Sequence, residues 1–152
     1  MDTKNLQRKQ LEEKIKAFQI ATKVAIPPTG WIKAIRLALN ITQEQLGRKM
    51  SVSKQGIGQL ESREQEGSIT LKTLRETADA LEMKLVYGFV PKDGSLDAFI
   101  ERKAYELAYR IVMRTSNTMT LEDQENSDER IKMAIQQRAI QIKHEMPKML
   151  WD

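Results

Sequence analysis

The sequence predicts a mainly all-α protein. It reads as a bundle of short helices with an N-terminal helical arm, one short β-strand and a C-terminal helical hairpin. Three observations carry this reading. Thr42 and Gln45 form a T-x-x-Q capping box, with Ile41 and Leu46 flanking it as a hydrophobic staple. Thr70, between Ile69 and Leu74, repeats the staple. Apolar residues recur at helical spacing along most of the chain, and only "KLVYGFVP" breaks to a β-rich run.

The elements follow in order. Residues 3–23 place Leu6, Leu11, Ile15 and Phe18 on one helical stripe, with Lys4, Arg8, Lys9, Lys14 and Lys16 on other faces. Such a helix packs on a partner surface or tracks DNA as a basic arm. "IPPTG" at 26–30 ends it, because proline fixes the backbone and lacks an N–H donor. "WIKAIRLALN" is the next helix, with Trp31, Ile32, Ile35, Leu37, Ala38 and Leu39 expected in the core. Thr42 opens a helix ending near Met50. "SVS" is a turn, and Ser53 caps a helix to about Arg63. Thr70 caps the next, with Leu71, Leu74, Ala78 and Leu81 as its inner face. "KLVYGFVP", 84–91, is the expected strand, stopped by Pro91; a lone strand needs a partner, which its copy in a dimer, a toxin-like protein or a second strand could supply. Ser95 caps a helix to about Arg114. A polar connection, "TSNTMTLEDQENSDE", leads to a last helix from about Asp128 to Glu145. The domain reading is an arm at 1–28, a helical domain at 29–83, and a strand with helices at 84–152 for dimerisation or partner binding.

Composition excludes several function classes. The chain of 152 residues has no cysteine, so it forms no disulfide or thiolate metal site and has no cysteine nucleophile. His144 is the only histidine, in a polar helical stretch where a solvent-facing side chain is the plain reading. No P-loop, GxGxxG or HExxH occurs. The sequence therefore predicts no enzyme, no metal and no cofactor. No apolar run approaches the ~20 residues of a membrane span, and a cytoplasmic protein is expected. The net charge of +4 is uneven. Residues 1–50 hold ten Lys/Arg against four Asp/Glu, while 51–91 and 92–152 are each at −1. A polyanion partner could use that excess, although a solvated face has the same look.

Residues 43–60 fit a helix-turn-helix position by position. Leu46 is inside the first helix, and Gly47 takes the small-residue slot where the helices cross. Val52 fills the turn, and Ile57 and Leu60 anchor the second helix inward. Anchors at these spacings hold one helix across the other, and the exposed first turn of the second can enter the major groove.

"TQEQLGRKMSVSKQGIGQLE" resembles the lambda-repressor-like, or Xre, family over about residues 31–83. One departure is Ser51, where that family usually has glycine in a left-handed conformation; serine there costs about 1 kcal/mol. "PPTGWIKAIRLAL", "LESREQEGSITLKTLRETADALEMKLVYGFVP", "TMTLEDQ" and the terminal "LWD" extend the resemblance to the mobile mystery protein A family. That likeness implies a bacterial Xre-type regulator encoded beside a Fic-domain protein, nucleoid-associated when DNA-bound. It implies an antitoxin-like autorepressor of a mobile or toxin–antitoxin-like operon.

On this reading Ser53, Lys54, Gln55 and Gln59 face the bases, Gln suiting bidentate contact to adenine and Lys suiting guanine or phosphate. The resemblance places Gln43 on a phosphate, helped by the helix N-terminus. Lys33, Arg36, Lys49 and Arg63 are the candidate phosphate neighbours, each with a plain alternative as a solvated charge. Double-stranded DNA with an inverted-repeat operator, a second copy in a homodimer and a Fic-domain toxin are the expected partners. Glu61 is expected to tie the helix end, and Glu64 and Glu66 must point away from DNA. "SREQEG" also fits S/T-x-x-x-E-G/N, the loose inhibitory motif of Fic antitoxins, through Ser62, Glu66 and Gly67. Inhibition through it needs the Glu presented from a helix. Gly56 is read as groove-facing, letting backbone approach a base, and Gly58 has no such reason.

Overall fold

The computed structural model describes residues 2–116 and 124–152, apart from the side chains of 124–127. "TMTLED" and the middle of the expected polar connection, 117–123, lie outside the described residues. The chain divides into two compact units, one of Ile20–Gly88 and the other of Met1–Gln19 with Phe89–Asp152.

The first unit is built from local start and stop signals. A 3-10 turn at Ile20–Lys23 is followed by α2 (Trp31–Ala38), α3 (Gln43–Met50), α4 (Lys54–Glu66) and α5 (Leu71–Ala80); α1 is Thr3–Lys16 of the other unit. The capping box at α3 forms in full: Thr42 Oγ1 accepts from the Gln45 N–H at 3.0 Å, and Gln45 Oε1 accepts from the Thr42 N–H at 2.9 Å. Ser53 caps α4 by accepting the Gly56 N–H, and Thr70 caps α5 by accepting the Thr73 N–H. Ile32, Leu46 and Ile57 are the buried centre, with Ile41, Ile69, Leu74 and Leu81 packed around them. Both staples therefore close onto the core.

Four expectations for this unit are corrected. Trp31, Leu37, Ala38 and Leu39 are exposed, and of the expected α2 core only Ile32 is buried, with Ile35 half-buried. An eight-residue helix has one inward stripe, and that stripe runs Ile32–Ile35–Arg36. Leu71 is exposed; Thr77 is buried in α5 instead, its hydroxyl donating to the Thr73 carbonyl. α4 continues past Arg63 to Glu66 and stops at Gly67, which is left-handed at φ 84°. The expected strand at 84–91 does not form, and no strand occurs among the described residues. A single β-rich segment has no second segment in this chain to pair with.

In the second unit, α6 (Leu96–Ser116) and α7 (Gln124–Glu145) form an antiparallel hairpin. Its core is Ile100, Ala104, Leu107, Ala108, Ile135 and Ile142, closed by Leu150 from a 3-10 turn at Lys148–Trp151. Ser95 caps α6 as expected, accepting the Ala98 N–H at 3.0 Å. α7 starts at Gln124, ahead of the expected Asp128. Lys143 near the end of α7 reaches Asp97 and Glu101 at the start of α6, at 3.1 and 2.6 Å. The hydrogen bond it donates to Glu101 leads in raising the Lys143 ammonium above its ordinary pKa. α1 ends at Lys16, short of the expected residue 23. Only Ile15 of its stripe is buried, and the Glu12 carboxylate accepts the Leu96 N–H.

Candidate nucleic-acid interface

The helix pair α3–α4 depends on close approach. A Cβ on Gly47 would collide with the Val52 carbonyl, so the crossing accepts no larger residue. The Val52 N–H closes the turn on the Gly47 carbonyl at 2.8 Å. Ser51 stands between them at φ 56°, ψ 42°, the left-handed conformation the turn requires. Leu46 and Ile57 are fully buried across this contact.

A buried ion pair locks α4 to α2. Arg36 Nε donates to Glu61 Oε1 at 2.6 Å and Nη2 to Oε2 at 3.3 Å, while Nη1 donates to the Ile41 carbonyl at 3.1 Å. Gln43 Nε2 approaches the same carboxylate at 3.5 Å. Arg36 is 7% exposed and Glu61 5% exposed. Glu61 therefore ties α4 as expected. Arg36 is corrected: its guanidinium is buried and bonded inside the domain rather than exposed as a phosphate neighbour. The signal was present, because Arg36 follows Ile32 by one helical turn and so shares its inward face.

Glu64 has a role the sequence reading missed. Its Oε2 accepts the Trp31 N–H and its Oε1 the Ile32 N–H, both at 2.8 Å. These are the first two N–H groups of α2, whose N-cap, Gly30, has no side chain to offer. A carboxylate there also meets the positive end of the helix dipole. Gly30 leaves room for it: at φ 86°, an added Cβ would stand 2.8 Å from Glu64 Oε1.

The remaining positions sort by exposure. Ser53, Lys54, Gln55 and Gln59 are all exposed along the first turns of α4. The Ser53 hydroxyl already serves as the cap, whereas the side chains of Lys54, Gln55 and Gln59 make no hydrogen bond among the described residues. Lys49 and Arg63 are exposed and Lys33 half-buried. Gln55, Gln59, Ser62 and Glu66 follow one another at helical spacing, so they share one stripe of α4. Glu66 thus does not turn away from the glutamines by rotation. It is separated along the axis, about 10 Å beyond Gln59 at 1.5 Å per residue. Ser62 Oγ donates to the Gly58 carbonyl at 3.1 Å, and Ser62, Glu66 and Gly67 are exposed.

Gly56 is corrected too. It is half-buried, and a Cβ there would collide with Val52 Cγ1 and come within 3.2 Å of Ser53 Oγ. The absent side chain makes room for the turn, not for a base. Gly58 has space, since its Cβ would meet only Gln43 Nε2 at 3.7 Å.

Among the described residues no group of His, Cys, Asp or Glu could hold a metal ion, and no helix is long and apolar enough to cross a membrane. The helix-turn-helix family model matches residues 32–87. No match to the chain was found among curated proteins or among solved structures. Match and geometry agree that this stretch is an Xre-like helix-turn-helix domain, the kind found in DNA-binding regulators.

Proposed function

We propose that this helix-turn-helix domain serves a sequence-specific transcriptional regulator that binds double-stranded DNA as a dimer on an inverted repeat. The resemblance to mobile mystery protein A makes it an autorepressor of a mobile-element or toxin–antitoxin-like operon with a Fic-domain partner. The observation that carries DNA reading is the free, exposed first half of α4: Lys54, Gln55 and Gln59 have unspent polar groups on a helix fixed from behind by Ile57 and Glu61. Ser53 contributes its position and Gln43 its place at the α3 start. Lys33, Lys49 and Arg63 remain the phosphate contacts of this reading.

Fluorescence anisotropy on the protein's own promoter, against random DNA and across a salt series, tests it. Salt-sensitive binding that prefers the promoter is expected. Gln55→Ala and Gln59→Ala should each remove about 1–3 kcal/mol of that preference. Equal losses on random DNA would show that the glutamines hold only backbone.

A second reading has its own support. Direct inhibition of a Fic-domain toxin through Ser62, Glu66 and Gly67 needs Glu66 on a helix, and α4 does extend through Glu66 with Gly67 as its cap. Ser62 and Glu66 share the exposed stripe. Adding wild type or Glu66→Gly to the Fic-domain protein separates the readings. Relief of AMP-transfer inhibition by the variant, with promoter binding kept, supports the inhibitory motif. Equal inhibition by both proteins removes it.

A further inference from the structure

Residues 84–90, "KLVYGFV", are β-rich, yet no backbone N–H or C=O in the segment joins a hydrogen bond among the described residues. Val86 is 70% exposed and Phe89 90% exposed, and Tyr87 is exposed as well. Tyr87 is nevertheless held. Arg75 Nη2 donates to its hydroxyl at 3.1 Å, and the guanidinium stands 5.6 Å from the ring centroid. Unpaired backbone combined with β-branched and aromatic side chains is a template for a strand from another chain.

We propose that this segment pairs antiparallel with its own copy in a second molecule, about a two-fold axis at Tyr87. The sequence is its own complement in that register. Leu85 faces Phe89 of the second copy and Tyr87 faces Tyr87, apolar and aromatic pairs of the kind that stabilise neighbouring strands, while Val86 faces Gly88. Charge selects the antiparallel direction. Glu82 and Lys92, both exposed, stand equally far on either side of Tyr87. Glu82 lies in the left-handed turn that leads into the segment and Lys92 just beyond Pro91, so antiparallel pairing puts the acidic end of one copy beside the basic end of the other, whereas parallel pairing puts like ends together. The two-fold axis supplies the symmetry an inverted repeat needs. The choice of a second copy as occupant rests in part on the DNA-binding reading; the pairing itself does not. Two-stranded ribbons are marginal alone in water, so the dimer is weak in free solution and strengthens where both copies bind adjacent half-sites.

Sedimentation equilibrium of the full chain without DNA, over a concentration series, tests this. A reversible shift from 17.5 kDa to twice that mass is expected. The Val86→Pro/Phe89→Pro variant should stay monomeric with unchanged helix content. Neither N–H is bonded within the chain, and the two point to opposite strand edges, so one must face the partner. The chain has no cysteine, so single thiols report the register. Tyr87→Cys should cross-link to its copy on mild oxidation many-fold faster than Lys84→Cys, which lies opposite Val90. A monomer throughout the series, a dimer that survives both prolines, or equal cross-linking at the two positions overturns the pairing. Loss of promoter binding by an intact, cross-linkable dimer would remove the DNA reading and leave the pairing standing. Tight promoter binding by the proline variant as a monomer would do the reverse.

Discussion

Gly56 and Gly58 sit two residues apart in α4 and respond to opposite demands. At Gly56 a methyl group would strike Val52, a β-branched side chain with little freedom to move aside. Overpacking of this kind costs about 1–3 kcal/mol, against the ~1 kcal/mol of helix propensity that alanine returns. At Gly58 only the propensity gain operates, because the nearest atom is at an ordinary contact distance of 3.7 Å. Gly56→Ala should therefore lower the stability, and Gly58→Ala should raise it by up to about 1 kcal/mol, each read as a shift of the urea midpoint with an unchanged m-value. Shifts of the same sign would show that the space around α4 has been misjudged. The sequence reads Gly56 as groove-facing and finds no reason for Gly58, and the first of these is wrong. Only the position of Val52, fixed by the turn through Ser51, tells them apart.

At the scale of elements, the caps of α3, α4, α5 and α6 were all legible, because each is a contact between residues three apart. The cap of α2 was not. It joins Glu64 to Trp31 and Ile32 across more than thirty residues, and no local pattern announces it. A separation of 25 residues likewise kept the Arg36–Glu61 pairing out of the charge reading, although the inward place of Arg36 was legible from its spacing to Ile32. The end of α4, by contrast, has a local signal that the sequence reading passed over: Gly67, the left-handed residue on which the helix stops. The strand at 84–91 failed for a different reason: β-propensity describes a residue that fits a sheet, and this unit offers no sheet. Glu64→Ala leaves two N–H groups at the start of α2 without their acceptor. It should cost about 1–2 kcal/mol, as losing a strong cap with a favourable dipole contact does. Glu64→Gln, which keeps one acceptor oxygen, should cost less. Thermal unfolding of the three proteins checks the order, and an alanine variant as stable as wild type would mean that water replaces the carboxylate.

For the whole molecule, position in the chain is a poor guide to where charge acts. The excess of +6 in residues 1–50 divides between the units, since Lys4, Arg8, Lys9, Lys14 and Lys16 belong with the C-terminal hairpin. The helix-turn-helix unit, Ile20–Gly88, holds ten Lys/Arg against seven Asp/Glu, and the other unit fifteen against fourteen. Within the first unit the Arg36 charge is internally cancelled, which leaves Lys33, Lys49, Lys54 and Arg63 as its best-placed cations. Each cation that neutralises a phosphate adds about 0.9 to the slope of log K against log salt. Lys49→Gln should thus flatten the slope by about 0.9 per bound chain, or ~1.8 for a dimer on two half-sites. Arg36 needs a different comparison. Removing one partner of a buried pair costs about 3–5 kcal/mol, whereas replacing both with apolar residues of similar volume is often neutral. Arg36→Met/Glu61→Leu should therefore fold and keep the wild-type salt slope on promoter DNA, although it removes an arginine from the DNA-binding domain. If that double variant flattens the slope as much as Lys49→Gln does, Arg36 leaves its buried pair on binding, and the division between structural and phosphate-binding cations falls.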